Sequence, residues 1–137
     1  MMMTKLLEED QAKGVAAEVY AEILENFGRV PNFFKAQATV DPEWLKLNWE
    51  RTKYVMLSSG GLDRKTRELI AFAVSEIRHC EYCALAHEAM ALMNGATGHE
   101  INQTRQIIEL FSSFTAIADT LRVPCDVSPA MIENPEP

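Results

Sequence analysis

Apolar residues recur at three- and four-residue intervals along most of the chain, and no stretch alternates apolar with polar residues long enough to read as a strand. The expected fold class is therefore all-α. A first helix is predicted from about Glu9 to Phe27, striped by Val15, Val19, Ile23 and Leu24 and ended by Gly28. Pro31 suits the first position of a short helix carrying Phe33 and Phe34, and Asp41-Pro42 supplies a cap and an N1 proline for a third. That third helix carries Leu45, Trp49, Tyr54 and Val55 before Ser58-Ser59-Gly60-Gly61 breaks the pattern. Asp63 caps a fourth, in which Leu69, Ile70, Ala73, Val74 and Ile77 predict a core-facing stripe. A fifth runs from Cys80 to Met93 and stops at Asn94-Gly95. Thr97 and Glu100 are spaced as a capping box, and Ile107, Leu110, Phe111, Phe114, Ile117 and Leu121 mark a long final helix. Beyond Val123 come Pro124, Pro129, Pro135 and Pro137, so residues 1–123 read as one helical domain and 124–137 as a proline-rich arm.

Bulk properties narrow the function classes. A chain of 137 residues supports one core of useful size, and no internal repeat is visible. A net charge of -7 argues against nucleic acid and against an anionic membrane surface, both of which reward clustered Lys and Arg. No apolar run reaches the length of a membrane span, and Met1-Met2-Met3-Thr4-Lys5 lacks a signal peptide's hydrophobic stretch, so a cytoplasmic location is expected. Three cysteines in that compartment point to catalysis or metal rather than to a disulfide framework.

The chemistry is concentrated between Glu76 and His87, where two of the three cysteines and two of the three histidines fall together. Cys80 and Cys83 are expected on the first turn of the fifth helix, where unpaired N–H groups and the helix dipole favour a thiolate over a thiol. Cys80, Cys83 and His87 follow one another at three and four residues, so all three belong to one helical face. Glu68 lies roughly 14 Å before the end of its helix and His87 roughly 10 Å into the next, at 1.5 Å per residue. Antiparallel packing would bring carboxylate and imidazole to similar depth; Glu76 is the alternative carboxylate. A thiolate, a second thiol and an oriented base make up a redox or peroxidatic site.

Simpler readings exist for each part. The two cysteines can be small buried hydrophobes on an Ala-rich helix, and His87 a hydrogen-bonded core histidine. Glu68 can be a solvated residue paired with Arg64, His79 a partner for a helix C-terminus, and Cys125 an incidental free thiol. Trp44 and Trp49 read as core or oligomer interface. Arg64, Lys65 and Arg67 sit in a first turn that disfavours positive charge; they either pair with carboxylates or face an acidic partner. Zinc held by Cys80, Cys83 and His87 with Glu68 or His79 is the main rival from another class, although the chain lacks a second pair of ligands. A non-enzymatic redox-sensing module is a third reading.

The run Lys65-Thr66-Arg67-Glu68-Leu69-Ile70-Ala71, continuing through Cys80-Glu81-Tyr82-Cys83 to His87, resembles the alkylhydroperoxidase AhpD-like members of the carboxymuconolactone decarboxylase family. Val30-Pro31-Asn32-Phe33-Phe34-Lys35-Ala36 is similar to an upstream segment of the same family, and the resemblance covers roughly Gly28 to Phe114. It implies an AhpD-like fold of about six to seven helices, assembly as a homo-oligomer, and hydroperoxide reduction through two thiols without a cofactor or bound metal. Carried over by residue, Cys83 matches the attacking cysteine, Cys80 the resolving one, His87 the activating base and Glu68 the start of the proton relay. The resemblance also implies an external dithiol, lipoyl-bearing or thioredoxin-like, as reductant. One position departs: the family's histidine directly before the second cysteine is Tyr82 here, and a phenol passes a hydrogen bond without titrating near neutrality. The decarboxylases of the family look like the same fold without the thiol pair, which argues against that activity.

Overall fold

Helices form where apolar periodicity coincides with a competent start and stop, and six α-helices account for the regular structure among residues 3–132, the part described by the computed structural model. They are α1 (Gly14–Phe27), α2 (Asn32–Val40), α3 (Pro42–Thr52), α4 (Arg64–Ile77), α5 (Glu81–Met93) and α6 (Gly98–Thr120). No strand occurs among the described residues, so the all-α expectation holds.

The starts follow the sequence closely. Asp41 caps α3 by accepting from the Glu43 N–H, Asp63 caps α4 by accepting from Thr66, and Thr97 with Glu100 closes a reciprocal capping box on α6. The first helix is shorter than expected: Glu9–Gln11 form a separate 3-10 turn, and α1 begins only at Gly14. Pro31 stands just outside α2 as its N-cap rather than at its first position. Beyond Thr52, residues Lys53–Leu57 wind into a π-helical turn that carries Tyr54 and Val55 out to solvent. The capping box at Thr97 and the long final helix belong to one element, because α6 runs unbroken for 23 residues.

Two units make up the chain, Met1–Gly61 and Leu62–Pro137. In the first, α1, α2 and α3 enclose Ile23, Phe34, Leu45 and Trp49, with Trp49 meeting both Phe27 and Phe34 edge to face. Glu22 ties α1 to the end of α3, accepting from the Trp49 indole N–H at 2.7 Å and from Lys53 at 2.7 Å. The Tyr20 hydroxyl donates to the Leu7 carbonyl at 2.8 Å; burial, then the nearby Glu8 and Glu9 charges, push its pKa up to about 12.

In the second unit α4 and α5 pack along their length and α6 joins α4, around Phe72, Ala84, Ala91, Ala96 and Ile101. Only part of the stripe expected to face this core does so: Leu69 packs against it. Ile70, Val74 and Ile77 are 48%, 53% and 54% exposed, while the buried face of α4 is Glu68, Phe72 and Ser75. Periodicity identified a helix here and mistook its inner face, because the inner face carries a carboxylate and a hydroxyl. Ser75 is satisfied by donating back to the Ala71 carbonyl, and Glu68 by the partners described below. Of the proline-rich arm, residues 124–132 are exposed and extended apart from a turn at Pro129–Met131; Pro135 and Pro137 lie outside the described residues.

Candidate active site

The turn between α4 and α5 sets the geometry. Ile77 ends α4, and the chain reverses through a six-residue closure in which His79 N–H bonds to the Glu76 carbonyl and Cys80 N–H to the Ser75 carbonyl. This motif needs a left-handed residue, usually glycine; here His79 takes it, at φ 56°. Glycine at φ 95° fills the equivalent place after α5, as Asn94-Gly95 predicted. The tight reversal leaves no room for a linker, so Cys80 passes directly from the exit of one helix to the N-cap of the next. Its sulfur accepts from the Cys83 N–H at 3.3 Å, in the place where a serine or aspartate oxygen usually stands.

Cys80 and Cys83 are joined as a disulfide, with Cα atoms 5.3 Å apart. The bond closes so short a loop that it constrains the unfolded chain little, which makes it a poor structural staple. Cys125, the remaining cysteine, is exposed in the arm, where its thiol meets the Val127 carbonyl. His87 lies one helical turn beyond Cys83, about 6 Å along the axis.

Across the α4–α5 contact, the Glu68 carboxylate is held from both sides. Oε2 lies 2.7 Å from His87 Nδ1, and Oε1 accepts from Arg64 Nε at 2.8 Å. Glu68 is only 2% exposed, so the solvated reading of this residue fails. Burial works against its charged form, but the hydrogen bonds from His87 and then Arg64 outweigh burial and hold its pKa below the ordinary carboxylate value. An ionised carboxylate only accepts, so the proton of that contact belongs to Nδ1. Neutral imidazole then presents Nε2 as a lone pair.

Sequence reasoning brought Glu68 and His87 together from their helical depths and placed both sulfurs at the start of α5. It valued Arg64 only as a surface partner of Glu68. The i, i+4 spacing was the available signal; what it could not convey is that the shared carboxylate is buried. Glu76, the alternative carboxylate, is exposed and lines an open hollow of about 240 Å³ with His79, Cys80, Glu81, Ala84 and Leu85. Tyr82 is half-exposed on the first turn of α5. Of the first-turn cations, Arg64 pairs with Glu68 and Lys65 with Glu100, while Arg67 donates to the Leu62 carbonyl. Trp49 is fully buried, whereas Trp44 is half-exposed. Among the described residues no group of three or more His, Cys, Asp or Glu side chains is arranged to hold a metal ion.

A family model described as the carboxymuconolactone decarboxylase family matches residues 42–124, which include every residue of this constellation. The chain belongs to the carboxymuconolactone decarboxylase family. Within it the chain is AhpD-like. The alkylhydroperoxidase AhpD core from Rhodospirillum rubrum superposes with a TM-score of 0.86 at 33% identity, covering 92% of this chain and 95% of that one. An alkyl hydroperoxide reductase of Mycobacterium tuberculosis is 34% identical over 87 residues, 64% of this chain and 25% of that protein. An uncharacterised protein of the cox locus of Paracoccus denitrificans is 34% identical over 67 residues, 49% of this chain and 56% of that one. The chain thus spans a quarter and about half of these two relatives, and nearly all of the solved core.

Proposed function

We propose that this AhpD-like chain is a thiol-dependent peroxidase that reduces hydroperoxides through a Cys80–Cys83 disulfide cycle. Cys83, as the thiolate, attacks the distal oxygen of the hydroperoxide; the O–O bond breaks, alcohol or water leaves, and Cys83 becomes a sulfenic acid. His87 takes up and returns the proton through Nε2, and Glu68 fixes its tautomer and stabilises the imidazolium. Cys80 then displaces hydroxide, released as water, from the Cys83 sulfur and closes the disulfide, which an external dithiol of lipoyl or thioredoxin type reopens. Tyr82 supports the relay as a hydrogen-bonding neighbour rather than as an acid–base group.

One observation carries this reading: a closed disulfide stands at the start of the same helix whose next turn bears a histidine backed by a buried, ionised carboxylate. The structural likeness to an alkylhydroperoxidase core supports it, and the presence of two thiols weighs against the family's decarboxylase activity. No helix among the described residues is long and apolar enough to cross a membrane. The proposed setting is the cytoplasm, where a disulfide of this kind is reopened rather than retained.

The test is oxidation of the reduced protein by a hydroperoxide, followed by mass spectrometry. A Cys80–Cys83 disulfide is expected in the parent and a trappable sulfenic acid at Cys83 in Cys80→Ser. Oxidation confined to Cys80, or to Cys125, would contradict the assignment. Assembly is part of the proposal. Phe111, Phe114 and Ile117 on α6 and Leu121 at its C-cap are more than half-exposed, a stripe that a second copy would cover. Light scattering is expected to give a multiple of 15.4 kDa, and a monomer at micromolar concentration would remove this element.

A further inference from the structure

Of the two sulfurs, only Cys80 lines the 240 Å³ hollow beside the α4–α5 turn; Cys83 does not, although its neighbours Glu81, Ala84 and Leu85 on α5 do. The hollow's remaining walls are Ala84 and Leu85 on the apolar side, and Glu76 and Glu81 with His79 around the turn. At this volume it falls short of the ~300–1,000 Å³ of pockets that enclose drug-sized ligands, and suits the head of a small alkyl thiol.

We infer that the reductant enters this hollow and attacks the disulfide at Cys80, and that Glu76 and Glu81 make the entry selective for an uncharged alkyl dithiol over an anionic one. The inference rests on the redox cycle proposed above and adds the direction and charge of its second half. The incoming thiolate forms a mixed disulfide with the Cys80 sulfur, the Cys80–Cys83 bond breaks, and its electron pair leaves on Cys83. The carrier's second thiol then attacks its own sulfur of the mixed disulfide, releasing Cys80 as a thiolate and leaving the carrier oxidised to a cyclic disulfide. Two electrons pass from carrier to protein, and the carrier's two thiol protons end on the protein thiols or in solvent.

Access points to Cys80. Cys83, the third residue of α5, lies in the first turn, where the unpartnered N–H groups and the helix dipole favour negative charge. Attack at Cys80 therefore expels a sulfur that can carry the charge and returns Cys83 as the thiolate that peroxide needs. The two rim carboxylates are within several ångströms of any group in the hollow. At such separations in water their summed repulsion of a second anionic charge amounts to roughly a five- to tenfold rate penalty, which salt screens.

The experiment uses the oxidised full-length chain and three matched two-carbon thiols: neutral mercaptoethanol, anionic mercaptoethanesulfonate and cationic cysteamine. Reduction rates are compared per unit of thiolate, and intermediates are quenched with iodoacetamide. Cleavage after Glu81 separates the two cysteines for mapping. The expected adduct is on Cys80 with alkylated Cys83, and the sulfonate should react about five- to tenfold more slowly than mercaptoethanol at low salt. That gap should close to within about twofold in Glu76→Gln/Glu81→Gln and at 1 M salt. An adduct on Cys83, adducts shared equally, or a gap unmoved by the double substitution would each overturn the inference. No peroxide enters this measurement, so it can fail in a protein that consumes hydroperoxide and succeed in one that does not.

Discussion

Cys83→Ser is expected to consume no hydroperoxide above background, a loss of at least about 10³-fold in turnover supported by a dithiol. The reason lies in the position as well as the element. A hydroxyl at the third residue of α5 receives the same favourable field as the thiol, but it remains protonated at neutral pH and is a poor nucleophile toward peroxide oxygen. Cys80→Ser should behave differently. It keeps the attacking group, so one equivalent of peroxide is consumed in a single turnover, after which the sulfenic acid has no neighbour to condense with and progresses toward sulfinic acid on further exposure. Following peroxide loss in single- and multiple-turnover mixes of both variants separates the roles. Undiminished steady-state turnover in Cys83→Ser would remove this residue from the mechanism, and equal single-turnover bursts in both variants would make the two sulfurs interchangeable.

The asymmetry between these sulfurs comes from local rules that the sequence already carries. Cys80 directly follows the left-handed residue that ends α4 and stands as the N-cap of α5; Cys83, three on, lies inside the first turn. Helix existence, the caps at Asp41, Asp63 and Thr97, and the pairing of Glu68 with His87 were all legible from spacing, because each depends on contacts within a few residues or across one short turn. The inner face of α4 was not. Amphipathic reasoning assigns apolar residues to the interior, and α4 buries Glu68 and Ser75 while exposing Ile70, Val74 and Ile77. That inversion leaves a carboxylate inside and three aliphatic side chains at least partly in solvent, which amphipathic patterning alone does not foresee. The same holds for α6, whose expected apolar series is present but lies exposed along the helix.

Glu68→Gln is expected to weaken the second unit and the reaction by separable routes. In the parent, one carboxylate oxygen meets Arg64 and the other His87, with the group almost wholly buried. The amide can still accept from one of them, but its NH₂ must face the other, so either a donor opposes a donor or His87 gives up its Nδ1 proton for the other tautomer. Breaking a fully buried pair costs about 3–5 kcal/mol, and because Arg64 is a quarter exposed and can rehydrate, the lower end of that range is expected. The difference should depend on pH in a fixed sense. The folded-state pKa of Glu68 is lowered, so the stability it contributes is fully present above the ordinary carboxylate value of about 4.3 and is lost as pH falls through the folded value. Denaturant unfolding of parent and Glu68→Gln should therefore differ most near neutrality and converge in acid. Turnover should fall by roughly 10²-fold even where the variant is folded, since His87 loses the acceptor that fixes Nδ1–H and supports its positive charge. A stability difference that stayed constant from pH 7 to pH 3 would mean that the carboxylate's charge contributes nothing to this contact. Retained turnover in the folded variant would leave His87 to act without it.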